Sequence, residues 1–106
     1  MLSAVMEWNV SINTDRQDRI VEVVKDTGIY KNLGTEGLIG KGSAGDLLKS
    51  YIRSLGMPGS LSEVGAGREK WDRLAKASMT DPWWLRTNSR KVTGLEDLLQ
   101  IFELAK

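Results

Sequence analysis

Apolar residues recur at intervals of three and four along most of the chain, and no stretch alternates apolar with polar residues long enough to make a strand. The pattern predicts an all-α fold. Leu2, Val5 and Met6 share one face over Met1–Asn9, which reads as the end of a buried helix. Thr14-Asp15-Arg16-Gln17 then has the capping-box form, in which the Thr hydroxyl and the Gln amide satisfy each other's orphan backbone donors, ahead of Ile20, Val21, Val23 and Val24. Gly28 ends that helix. Ser43 caps a third helix whose Leu47, Leu48, Tyr51, Ile52 and Leu55 make one stripe, closed by Gly56 with Pro58 two residues on.

Ser60-Leu61-Ser62-Glu63 is a second capping box, but Gly65 and Gly67 follow at once and limit it to a single turn. A longer helix starts near Arg68. It carries Trp71, Leu74, Ala75 and Ser78 on one face and stops before Pro82, because proline disfavours helical geometry at the residue before it. The stretch from Asp81 to Val92 reads as a loop. Thr93-Gly94-Leu95-Glu96 makes a third box opening a last helix, with Leu95, Leu98, Leu99, Phe102 and Ala105 expected inside. The whole chain, 1–106, is thus expected to form one compact bundle of five to six helices, with a Gly-rich connection over 34–45 and a Trp-bearing loop over 81–92.

Composition narrows the chemistry. The chain has 106 residues with no histidine and no cysteine, so the usual zinc and iron ligand sets and any Ser-His-Asp or Cys-His centre cannot be assembled from it. No metal and no cofactor is expected. A net charge of +1, with charges interspersed, gives no cationic field for a phosphate backbone, so nucleic acid is not an expected partner. No stretch has the length of a bilayer span, and the opening lacks the basic start and apolar run of a secretion signal; the cytosol is the expected compartment.

Gly40-Lys41-Gly42-Ser43-Ala44-Gly45 matches the G-x-G-x-x-G pattern of dinucleotide sites. That mechanism needs a preceding strand and a β-α-β unit, which the pattern here does not supply, so the motif is read as a loop and a helix cap. Most carboxylates fall on polar faces or first helical turns. Asp81 differs, since it precedes Pro82 in a segment that also holds Arg86, Asn88 and Arg90. It is read as fixing the loop, with Asp81 and Arg86 the only candidates for acid–base chemistry. Trp83 and Trp84, adjacent in a segment expected at the surface, either wall a ligand pocket or cap the open end of the core. Trp8 and Trp71 sit at helical core positions.

Asp81, Thr87-Asn88-Ser89-Arg90-Lys91-Val92-Thr93 and Leu95-Glu96-Asp97-Leu98-Leu99 together resemble the ending of iron-containing alcohol dehydrogenases, which reads Asp, a short loop, Asn-Pro-Arg, then a helix beginning Thr-x-Glu-Asp. Leu55-Gly56-Met57-Pro58 and Leu61-Ser62-Glu63-Val64-Gly65 resemble that family's Leu-Gly-Leu-Pro and Leu-Ser-Glu-Leu-Gly segments. Met1–Asn9 is similar to its Leu-Pro-His-Val-x-x-Phe-Asn helix, with Ser3-Ala4 in place of Pro-His, and Ser89 replaces the later Pro. The resemblance covers nearly the whole chain in family order and extends to the maleylacetate reductases. It implies the later part of the helical domain of a dehydroquinate-synthase-like fold, without the family's nicotinamide-binding domain and without its metal ligands. It further implies that Trp83 and Trp84 face a former substrate cleft and that Asn88 and Arg90 fix the loop. The expected function is binding of a small organic molecule at that cleft, without autonomous dehydrogenase activity; the alternatives are a homo-oligomerising or partner-completing module, or an inert fragment.

Overall fold

The structure, a computed structural model, describes residues 1–28, 31 and 42–106. Among them are five α-helices: α1 (Leu2–Thr27), α2 (Ala44–Ser54), α3 (Trp71–Ser78), α4 (Pro82–Thr87) and α5 (Leu95–Leu104), with short 3₁₀ turns at Ser62–Val64 and Arg68–Lys70. The fold is all-α, as the apolar spacing predicts. The first part of the G-x-G-x-x-G pattern and most of the Gly-rich stretch lie outside the described residues.

α1 is continuous in hydrogen bonding but breaks at Asn13, whose φ of −128° and ψ of 32° are not helical. The break is sharp. Gln17 Nε2 donates to the carbonyl of Met6 at 2.6 Å and to Asn13 Oδ1 at 2.8 Å. In a straight helix those eleven residues would separate Gln17 from Met6 by about 16 Å along the axis, beyond the reach of a glutamine. The two arms of α1 therefore fold back towards one another, and the elbow stands one residue before the Thr14 start that the sequence predicts. The capping box itself is not formed: Thr14 Oγ1 donates to the Val10 carbonyl, and Gln17 is buried across the elbow.

Gly28 closes α1 with a left-handed φ of 64°, donating its N–H to the Lys25 carbonyl. α2 opens with a reciprocal box in which Ser43 Oγ accepts from Asp46 N–H and Asp46 Oδ2 accepts from Ser43 N–H, both at 3.1 Å. Gly45 explains its place in the glycine pattern by packing. A Cβ there would lie 2.9 Å from the backbone carbonyl of Ser3, so the missing side chain lets α2 approach the first arm of α1.

The core gathers Ala4 and Trp8 from α1, Leu61, Trp71 and Ala75 from the middle of the chain, and Val92, Leu98, Ile101, Phe102 and Ala105 from its end. Trp71 and Phe102 meet edge to face, with centroids 5.9 Å apart at 64°, a geometry that aligns ring edge with ring face. Two expectations for α5 are corrected here. Ile101 is wholly buried while Leu95 and Leu99 stay partly exposed, because the inward face is set by 98, 101, 102 and 105. Thr93 pairs with Asp97 and not with Glu96: its N–H and hydroxyl both reach Asp97 Oδ2, at 2.8 and 2.9 Å, since Gly94 is the cap residue and shifts the register by one.

The expected loop over 81–92 is also corrected. Pro82–Thr87 is a helix, capped by Asp81 Oδ1, which accepts from Trp83 N–H at 3.0 Å, with Pro82 in the first helical position where its missing donor is harmless.

Two outcomes are expected. Gly45→Ala gains about 1 kcal/mol of helix propensity but meets a backbone oxygen, for which overpacking costs about 1–3 kcal/mol; the melting temperature should fall by several degrees, and a rise would show that α1 and α2 separate freely. The hydrogen bonds from the Thr93 backbone and hydroxyl, with Arg90 nearby, hold the Asp97 carboxyl below its ordinary 3.8. A carboxyl lowered by folding contributes stability above that value and loses it as pH falls through the folded value. The fall in melting temperature below pH 3.8 should therefore be shallower in Asp97→Asn than in the parent, and parallel curves would contradict it.

Candidate functional site

The residues singled out from the sequence separate into two groups. Trp83 is 78% exposed on α4, whereas Trp84 is half-buried, its ring packed on the core and its Nε1–H donated to the Ser78 carbonyl at 3.3 Å. The two rings thus point to different environments and do not form two walls of one pocket. Asp81 is exposed, with its carboxylate used as the cap of α4, and Arg86 is exposed in the last turn. Among the described residues the five ion pairs do not include an Asp81–Arg86 pair.

Asn88 and Arg90 meet α1. Asn88 and Asn9 exchange amide hydrogen bonds, each Nδ2 donating to the other's Oδ1 at 2.9 Å. Arg90 N–H donates to the same Asn9 oxygen at 2.9 Å, and Asn88 Nδ2 also reaches the Arg90 carbonyl at 2.6 Å. The Arg90 guanidinium lies 3.6 Å from the centroid of the Trp8 ring and donates to the Trp8 carbonyl at 3.3 Å, while Trp8 Nε1–H donates to the Arg90 carbonyl. Every polar atom of the buried Asn9 side chain is matched. This arrangement fastens the segment after α4 to the first arm of α1; it leaves no free group for chemistry.

The concave surface that suits a ligand lies elsewhere. Met6 from the first arm of α1, Ile20 and Val24 from the second, and Ala44, Leu47, Leu48 and Tyr51 from α2 enclose a cavity of about 270 Å³. Ala44 and Leu47 are buried and form its floor. Ile20 and Tyr51, 46% and 43% exposed, stand at its mouth. Neither Trp83 nor Trp84 lines it.

Comparison with protein families, with curated proteins and with solved structures finds no match. The site is therefore judged on its geometry. A second, polar cleft of about 650 Å³ follows the outside of the elbow, from Ser11 to Arg16 with Ser89 opposite, and is a wide and open surface feature. Among the described residues no group of three His, Cys, Asp or Glu side chains gathers where a metal ion could be held, and no helix is long and apolar enough to cross a membrane.

The stripes that line the cavity, 20 and 24 on α1 and 44, 47, 48 and 51 on α2, are visible in the sequence as helical faces. Their meeting across an unfilled space is not, because spacing reports which residues face inward and not whether their volumes fill the interior. Gln17 and Asn13, which set the elbow and hence the cavity, carry one sequence signal, the polar pair at i and i+4 beside a helix start.

Removing either amide should expose the coupling at Asn9. Asn9→Ala and Asn88→Ala each leave a buried partner unmatched and are expected to cost about 1–3 kcal/mol, while the double variant should fall short of their sum by about 0.5 kcal/mol or more. Denaturant unfolding of the four proteins measures this, and simple additivity would show that the two amides do not act together.

Proposed function

We propose that the chain is a helical binding domain of the cytosol that takes a small organic molecule in the cavity between α2 and the two arms of α1, without metal- or nicotinamide-dependent chemistry of its own. The observation that carries this reading is the cavity: three helical faces supply seven lining residues, six of them aliphatic or thioether side chains, around a space open at one end. Binding sites are concave and mostly apolar with few polar groups, and a half-enclosed pocket desolvates a ligand in a way that one exposed ring such as Trp83 does not. The absence of histidine and cysteine removes the donors that a resident iron or zinc would require, so no step is routed through a metal.

The resemblance to the helical region of iron-containing alcohol dehydrogenases remains part of this proposal. An all-α chain, with the segment from Asn88 to Arg90 fastened to the first helix, agrees with a domain that lacks the family's cofactor-binding half. Asp81 and Arg86 stand outside the cavity, so binding is preferred over acid–base catalysis.

One observation favours a second reading, in which the domain associates with another copy or completes a partner chain. Trp83 leaves a large apolar ring in water on a short helix, beside none of the cavities described, and large exposed apolar surface marks contact sites.

A thermal-shift screen of neutral aromatic and short aliphatic compounds tests the first reading. A compound present at a hundredfold excess over its dissociation constant contributes about 2.7 kcal/mol, which in a chain of this size raises the melting temperature by on the order of 10 °C. Val24→Trp, which fills the cavity, should melt cooperatively and show no shift. A parent protein that melts cooperatively and responds to no compound would overturn the proposal, and a Trp83-dependent dimer seen by sedimentation would favour the second reading.

A further inference from the structure

Resting on the cavity reading above, we infer that the ligand is an uncharged, largely hydrocarbon molecule of one or two fused rings with a single hydrogen-bonding group, which Tyr51 engages at the mouth while the cavity rejects carboxylates.

Three observations lead there. The first is size. An apolar cavity of about 150 Å³ holds benzene, so about 270 Å³ has room for a bicyclic ring system or a short branched chain and not for a nucleotide or a sugar phosphate. The second is the lining. Of Met6, Ile20, Val24, Ala44, Leu47, Leu48 and Tyr51, only Tyr51 carries a hydrogen-bonding side chain of ordinary strength, a phenol that both donates and accepts. Within the helix interiors the backbone groups are paired along the helices and offer nothing to a ligand.

The third is where the charges lie. On α2 the ionisable residues Asp46 and Lys49 line a different and smaller space, together with Glu7 and Ser3 of α1. Lys49 is thereby directed away from the apolar cavity. No cation lines the cavity among the described residues, so a carboxylate entering it would lose its water without gaining a partner. A hydroxyl or carbonyl at the mouth instead keeps one strong contact and leaves its hydrocarbon body in the floor. Tyr51 is 43% exposed, so its hydroxyl lies where a ligand's polar end would meet both protein and solvent.

The test compares three molecules that share one ring system: naphthalene, 2-naphthol and 2-naphthoate, titrated into the full chain by calorimetry. Naphthalene should bind, 2-naphthol about three- to tenfold more tightly through its hydroxyl, and 2-naphthoate at least a hundredfold more weakly than 2-naphthol. Tyr51→Phe should remove the advantage of 2-naphthol while leaving naphthalene unchanged, and Val24→Trp should bind none of the three. Binding of 2-naphthoate as tight as 2-naphthol, or an advantage of 2-naphthol that survives Tyr51→Phe, would overturn the inference while the cavity reading stands. Failure of the parent to bind any of the three, together with an unresponsive neutral-compound screen, would overturn the cavity reading itself.

Discussion

The reciprocal amide pair between Asn9 and Asn88, extended by Arg90 stacked on Trp8, joins positions about eighty residues apart in the chain. Closing a loop of that length costs conformational entropy, which a set of buried, mutually satisfied hydrogen bonds offsets only if each of its members is in place. A half-formed version would bury an unmatched amide. The first arm of α1 is thus held in one register against the segment after α4. That register delivers Trp8 and Ala4 to the core and sets Val92 beside them, and α5 follows two residues later. The same contact explains why the end of α4 is so short. Asn88 leaves the helical conformation at its C-cap, with ψ of 138°, and its amide is then free to turn towards α1.

With its first arm fixed, α1 can reach α2 a second time only by bending. Asn13 provides the bend and Gln17 spans it, tying the carbonyl of Met6 to the side chain of Asn13. The result is an interior in two parts. One is the well-filled core around Trp71, Ile101 and Phe102. The other is the space between the arms of α1 and α2, where Ala44 and Leu47 are buried but the mouth residues Ile20 and Tyr51 are not. Gly45 brings α2 close to Ser3 at one side of this space, while the far arm bears only branched aliphatic side chains. Close packing is the rule for interiors, so an apolar space of this size persists only where neighbouring elements are held apart by constraints of their own. The elbow and the amide pair together are such constraints.

Much of the fold is legible in the residues. Gly28 and Gly56 end their helices with positive φ, Ser43 opens α2, and the break in α1 falls beside Thr14, where a helix start is written. Legibility fails where a signal is local and short. Six residues of α4 are too few for periodicity, and the Asp-Pro pair that starts the helix reads equally well as a loop until Asp81 is seen to cap Trp83 N–H. In α5 a one-residue change of cap moves the Thr93 partner from Glu96 to Asp97. The inward face likewise centres on Ile101 because four consecutive buried positions follow the helical repeat more closely than the leucines do. The importance of Asn88 and Arg90 is suggested by the family resemblance, yet their partner Asn9 is not, since nothing in a linear sequence pairs residues 79 positions apart.

The candidate site was the least legible part, for a physical reason. A tryptophan pair stands out in a sequence because the residue is rare and large, and rarity draws attention to α4. Binding depends on enclosure. Trp84 is committed to the core through its ring and its indole N–H, and Trp83 has water on most of its surface, so neither can share a ligand with the other. Leucine, valine and alanine are commonplace, and a stripe of them ordinarily means filled core. Here the same stripe borders an unfilled space, because the helices that carry it are positioned by contacts made elsewhere in the chain. Where enclosure and rarity disagree, enclosure decides, since the apolar area removed from water on both sides of a contact is what drives an organic molecule out of solution.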